Sequence, residues 1–199
     1  MSPAPRRRTR RWPATDSPSI DIVVQSPLWK AERGVGAVLR RAVAEAASSA
    51  KASAKNGELA IVLTDDAAIR ALNRHWRRQD KPTNVLSFPA TAPEHALAGS
   101  NRRNGAPRHL GDIVIAYQTT AREAKAEHKP FRHHLAHLAV HGFLHLLGYD
   151  HEADAEAQAM EGLEIAVLAR IRVPNPYVAR DHAGRATAPG VTAPRARRA

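Results

Sequence analysis

Apolar and polar positions along the chain change period several times, and each change predicts an element. Ser19 to Gln25 crowds Ile20, Ile22, Val23 and Val24 into the β-branched density of a first strand, with Pro27 marking its exit. Val35, Val38, Leu39, Ala42, Val43 and Ala46 then recur at helical spacing, up to a turn signal at Asn56-Gly57. Glu58 to Leu63 predicts a second strand. Asp65 or Asp66 can cap the helix after it, whose expected buried stripe is Ile69, Leu72 and Trp76. A charged turn, RRQDKPT, leads to a short strand from Asn84 to Phe88 closed by Pro89.

Residues 91–108 have no periodicity and predict a long loop. Gly111 to Ala116 predicts the fourth strand. Thr120 with Glu123 three residues on predicts a capping box for a helix to about Glu127. Pro130 opens a further helix through Leu147, with Gly148 as the left-handed residue after it. A last helix is acidic at Glu152, Asp154 and Glu156, turns Met160, Leu163, Val167 and Ile171 inward, and stops at Pro174. Together these elements predict an α+β domain with a small, roughly four-stranded mixed sheet flanked by four or five helices.

Composition narrows the chemistry. The 199 residues suit one domain, expected over residues 18–178. The chain has no cysteine, which excludes disulfides, thiolate metal sites and cysteine nucleophiles. The net charge of +11 sits mostly at the ends: residues 1–12 supply +5 and residues 180–199 supply +4, leaving +2 for the middle. Residues 1–17 and 179–199 therefore read as basic, disordered tails able to add salt-dependent attraction to RNA phosphates. The N-terminal arginines precede no apolar stretch of the kind an export signal needs, and no run reaches the ~18 apolar residues of a membrane span. A cytoplasmic location without membrane attachment is the expectation.

The most specific pattern is HGFLHLLGYDH. His141 and His145 lie four apart on one helical face, and a chain that turns at Gly148 can return His151 as a third nitrogen. The spacing H-x3-H-x2-G-x2-H is the ligand skeleton of metzincin zinc sites. It predicts one zinc ion held by three histidines, with water as the fourth ligand. The glutamate base of H-E-x-x-H proteases is absent, because Gly142 stands in its place. His137 reads either as a support to this site or as an ordinary packed residue. Asp150 reads either as a carboxylate orienting a ligand or as a cap for the last helix. In LNRHWRRQDKPTNVLSFP, Arg77 and Arg78 stand where the helix gives out. There an arginine can either complement the helix dipole or offer its planar fork to a phosphate.

LNRHWRRQDKPTNVLSFP, LGDIVIA, HLAVHGFLHLLGYDH, QAMEGLE and PNPY, in this order over roughly residues 19–178, resemble the YbeY family of bacterial metal-dependent endoribonucleases. The resemblance implies a zincin-like fold with the histidine helix central, and makes His141, His145 and His151 the zinc ligands. It also makes Arg77, which follows the aromatic Trp76, the catalytic arginine. The implied activity is zinc-dependent, single-strand-specific cleavage of RNA in ribosomal RNA maturation and ribosome quality control, with ribosomal RNA and the small ribosomal subunit as partners. Asn84 stands where many relatives have Asp. Two rival readings of the histidines are a zincin-like metalloprotease and a non-catalytic ribosome assembly factor with a structural metal.

Overall fold

Every apolar run that predicts a strand forms one. A computed structural model describes residues 17–50, 54, 56–90, 108–151 and 153–178; the two expected tails, apart from Ser17, and the loop from 91 to 107 lie outside the described residues. In chain order the elements are β1 (Ser19–Val24), a short 3-10 helix (Pro27–Ala31), α1 (Val35–Ser49), β2 (Gly57–Thr64), α2 (Asp66–Arg77), β3 (Val85–Pro89), β4 (Arg108–Ala116), α3 (Tyr117–Ala126), α4 (Phe131–Leu146) and α5 (Asp154–Arg170). The sheet order is β1-β2-β4-β3, with β1, β2 and β4 parallel and β3 antiparallel on the β4 edge. This is the mixed four-stranded sheet that the pattern predicts.

The pleat sorts successive residues of β4 to opposite faces. Ile113 and Ile115 join the main core with Leu39 and Val43 of α1, Phe143 of α4 and Leu168 of α5. Val114 and Ala116 face a smaller core built on Ile69 of α2 and Leu86 of β3. α4 is buried almost all round, from His134 through Leu146, as expected of a helix with apolar residues on every side. The element that carries the metal motif is therefore the best-fixed helix of the domain.

Two local expectations are corrected. Trp76 is not on the buried stripe of α2; it is 64% exposed, and Asn73, 2% exposed, points inward instead and donates its amide to the Lys81 carbonyl. The Thr120 capping box does not form, because α3 starts directly after β4 and Thr120 lies inside it, its hydroxyl donating to the Ala116 carbonyl. The helix is capped from another element: Asp66 Oδ1 accepts from the Thr119 amide and hydroxyl at 3.0 and 2.8 Å, while Gln118 accepts from the Asp66 amide. The starts of α2 and α3 thus satisfy each other's orphan donors. Pro27 follows the end of β1, as expected, and opens the 3-10 turn that buries Trp29. The left-handed turn after α4 forms as predicted, with Gly148 at φ +89°.

The β3–β4 edge depends on one glycine. β4 skips Leu110 in its pairing with β2, and Gly111 beside that bulge has φ +131°. A Cβ on Gly111 would lie 2.2 Å from the Phe88 carbonyl oxygen. Gly111→Ala is expected to lower stability by roughly 3 kcal/mol or more, from a disfavoured φ plus a backbone clash. Equilibrium urea unfolding checks this; a midpoint within experimental scatter of wild type would contradict it.

Candidate metal centre

α4 carries a ladder of histidines one turn apart: His133, His137, His141 and His145. The helix stops at Leu146, and the turn at Gly148 returns His151 to the same end. The Asp150 carboxylate accepts from the His151 amide at 2.8 Å. It caps no helix, as α5 begins only at Asp154, so it acts on the loop backbone that presents His151. One nitrogen from each of His141, His145 and His151 lies within 4.8 Å of the others, and His141 Nε2 and His145 Nε2 are 3.2 Å apart.

Two ligand nitrogens on a tetrahedral ion at about 2.0–2.1 Å sit about 3.3 Å from one another. The His141–His145 spacing fits that separation. Burial first, and then the neighbouring His141 and His151, push His145 down to about 4, so its ring is neutral at pH 7 with a lone pair to offer. The donor set suits a borderline-soft divalent metal such as zinc.

Behind the cluster lies a residue absent from the predicted site. Glu164 of α5 is 0% exposed. Its Oε1 accepts from His141 Nδ1 at 2.8 Å and its Oε2 from His137 Nε2 at 2.8 Å, with the Tyr177 hydroxyl donating to Oε2 as well. A carboxylate can only accept, so all three partners must donate. His141 is thereby fixed as the Nδ1–H tautomer, which frees Nε2 toward the cluster. Burial opposes the charge on Glu164, but the hydrogen bonds from His137 and His141, the charge of His137 and the Tyr177 hydroxyl outweigh it and hold the carboxyl down to about 2. Shelter of the hydroxyl end and the adjacent carboxylate keep Tyr177 protonated as a donor. A glutamate at 164, between the inward positions Met160 and Val167, was the available signal: an acid on an apolar stripe needs buried partners.

Arg77 reaches the same place from α2. A cleft of about 510 Å³ is lined by Arg77, Thr83 and Ser87 on one side and by His141, His145 and His151 on the other. Arg77 ends α2, and Arg78 takes the left-handed conformation at φ +58°. The turn is pinned on both sides, by Asn73 to the Lys81 carbonyl and by a two-pronged Arg70–Asp80 pair at 2.9 and 3.0 Å. Among the described residues the Arg77 guanidinium has no carboxylate partner.

Gly142 packs against the sheet. A Cβ there would meet Ile113 at 2.9 Å and Ser87 Oγ at 3.0 Å, and Ser87 already donates to the Gly142 carbonyl. The helix packs too closely on β3 and β4 at this point for any larger side chain. Beyond the cluster, Asn84 donates to Glu123, which also pairs with His134 at 2.9 Å. An amide at position 84 suits this contact, because a carboxylate would set two acceptors against each other.

Comparison with known proteins points to one family. The family model for Endoribonuclease YbeY matches residues 28–172. Proteins named Endoribonuclease YbeY from Rhodopseudomonas palustris and Nitrobacter hamburgensis are 54% and 55% identical, over 82% and 80% of this chain and 95% and 82% of their own. One from Bradyrhizobium diazoefficiens is 52% identical over 87% of this chain and 92% of its own. In architecture the chain is similar to a Thermotoga maritima protein solved in solution, with a TM-score of 0.50, 22% identity, and coverage of 77% of this chain and 91% of that one.

The buried Glu164 makes stability pH-dependent with a definite sign. Its folded value of about 2 lies below the ordinary 4.5, so its contribution is complete above about pH 4.5 and is lost as pH falls toward 2. Glu164→Gln is expected to be less stable at pH 7 and to lose less stability across that window. Denaturant unfolding at several pH values decides, and parallel curves for the two proteins would refute the assignment.

Proposed function

The chain belongs to the Endoribonuclease YbeY family, and from that premise we propose that it is a zinc-dependent, single-strand-specific endoribonuclease whose reactive centre is the His141, His145 and His151 cluster. The observation that carries this reading is the meeting, in one cleft, of three histidines and an arginine that has no carboxylate partner among the described residues. Its proposed place is the maturation and quality control of ribosomal RNA in the cytoplasm, with the small ribosomal subunit as partner. The expected basic tails would add nonspecific attraction to RNA. Among the described residues no helix is long and apolar enough to cross a membrane.

His141, His145 and His151 would hold a zinc ion, and that ion would supply Lewis-acid activation of water near neutral pH. Arg77 grips the scissile phosphate, since its planar fork donates two hydrogen bonds at once to phosphoryl oxygens and faces the charge that builds there during attack. The attacking oxygen is water or the RNA's own 2′-hydroxyl. Glu164 keeps the His141 ring turned to the cluster through Nδ1. The turn fixed by Asn73 and Asp80 keeps Arg77 at the cleft wall. The close packing at Gly142 counts against the protease alternative, for the glutamate base of that chemistry has no room there.

His141→Ala is expected to lower bound zinc, measured by elemental analysis, and to abolish cleavage of single-stranded RNA. Arg77→Ala is expected to keep its zinc and to lose roughly 10²- to 10³-fold in kcat, the range for removal of one donor to a transition-state oxyanion. Equal cutting by zinc-loaded Arg77→Ala and wild type would remove Arg77 from the mechanism. Cleavage of unfolded protein but not RNA would favour the protease. Loss of folding on chelation, with no RNA cleavage by the loaded protein, would favour a purely structural metal.

A further inference from the structure

Trp76 has no use in the chemistry above, and its setting is unusual. It is the most exposed of the large apolar side chains among the described residues. Its ring contacts are with His75 at 5.0 Å and Phe88 at 5.9 Å between centroids, both edge-to-face, so among the described residues no ring lies parallel to the indole. Phe88 sits in β3 between Ser87 and Pro89, and Trp76 directly precedes Arg77; Ser87, Pro89 and Arg77 all line the histidine cleft. The indole thus stands over the outer edge of β3, one residue from the cleft on each of the two elements that support it.

The surroundings are cationic. Arg74, Arg77, Arg78 and Lys81 are exposed in the same stretch of chain as Trp76, while Asp80, the one acid of this stretch, is paired with Arg70. The turn holding them is fixed from two sides, so the aromatic step is rigid. An exposed aromatic in a basic stretch at the edge of the cleft suits a polyanion with flat bases, because phosphates can meet guanidinium groups while a base covers the ring. An acidic peptide would satisfy the charges but leave the indole uncovered.

We propose that Trp76, propped on Phe88, is a stacking platform for one unpaired base of an RNA strand whose phosphate is held at Arg77. A base can cover the indole only after leaving its own stack and pair, so the platform selects single strands over duplex. This rests on the endoribonuclease reading for its substrate, and it adds a residue that reads the strandedness of the RNA rather than its sequence.

The test uses the full, zinc-loaded chain with Trp76→Leu, which keeps apolar bulk over Phe88, and Trp76→Tyr, which keeps a ring. Base–aromatic stacking loss predicts a rise of about tenfold in KM for single-stranded RNA in Trp76→Leu, with a smaller change in kcat and most of the affinity retained in Trp76→Tyr. The preference for single strand over duplex should shrink by a similar factor. An RNA with an abasic nucleotide next to the cut should bind wild type and Trp76→Leu alike. In a separate binding arm, the part of the indole fluorescence that Trp76→Leu lacks should be quenched by single-stranded RNA and not by duplex, since Trp12 and Trp29 contribute alike in both proteins. Cleavage with a Trp76→Leu KM within twofold of wild type, or an equal loss on abasic RNA, overturns the platform while leaving the endoribonuclease reading intact. If wild type cuts no RNA, that reading fails, and the quenching comparison still decides the platform. Thermal melting of both variants within a few degrees of wild type excludes misfolding as the cause.

Discussion

The carboxylate of Glu164 is the fixed point around which the candidate site is arranged. It is out of water, charged, and held by two histidines of α4 and a tyrosine from beyond α5. A buried charge with three donors is strongly directional, and losing any donor leaves it short of partners in a low-dielectric setting. That directionality is transmitted to the cluster, because the bond to His141 Nδ1 sets both the tautomer and the ring plane of the first histidine in the metal motif. The apolar contacts of α4 place the helix; the carboxylate aims its side chains.

A second constraint is how closely α4 approaches the sheet. Gly142 leaves no space between the helix and Ile113, and Ser87 bonds directly to the helix backbone. On the other strand of the same edge, Gly111 lets the Phe88 carbonyl come close enough that no Cβ would fit. The two glycines bring β3 against both β4 and α4, and β3 in turn forms the cleft wall that Arg77 shares. A wider spacing at either point would separate the arginine side of the cleft from the histidine side. The same edge carries Phe88, half-buried against the smaller core, where it meets Trp76.

Much of the fold was legible along the chain because its signals are local. The β-branched runs at Ile20–Val24 and Leu59–Leu63, the proline that opens α4 and the glycine that ends it act within a few residues of themselves. The expectations that failed are those in which a distant partner overrode the local rule. Thr120 and Glu123 have the spacing of a capping box, but Asp66 of another helix supplies the cap and Glu123 turns to Asn84 and His134. Trp76 falls on the periodic stripe of α2, yet the sheet below it ends at an edge strand, so that position overhangs solvent while Asn73 goes inward. Asp150 accepts from the backbone of its own loop and caps no helix.

The candidate site divides along the same line. His141, His145 and His151 could be read as one set from the sequence alone, because helical period and a turn glycine are enough to bring three side chains together. Gly142 could be read as the missing protease base for the same reason. Nothing local could show that Arg77 enters the histidine cleft, that His137 leans on Glu164, or that Trp76 stands exposed beside them. Those facts depend on which faces of α2, α4 and α5 meet across the sheet. The sequence determined which residues could be ligands, since that follows from rotation per residue along one helix. Only the tertiary structure decided what surrounds them, since that depends on contacts between residues far apart in the chain, whose pairing has no period.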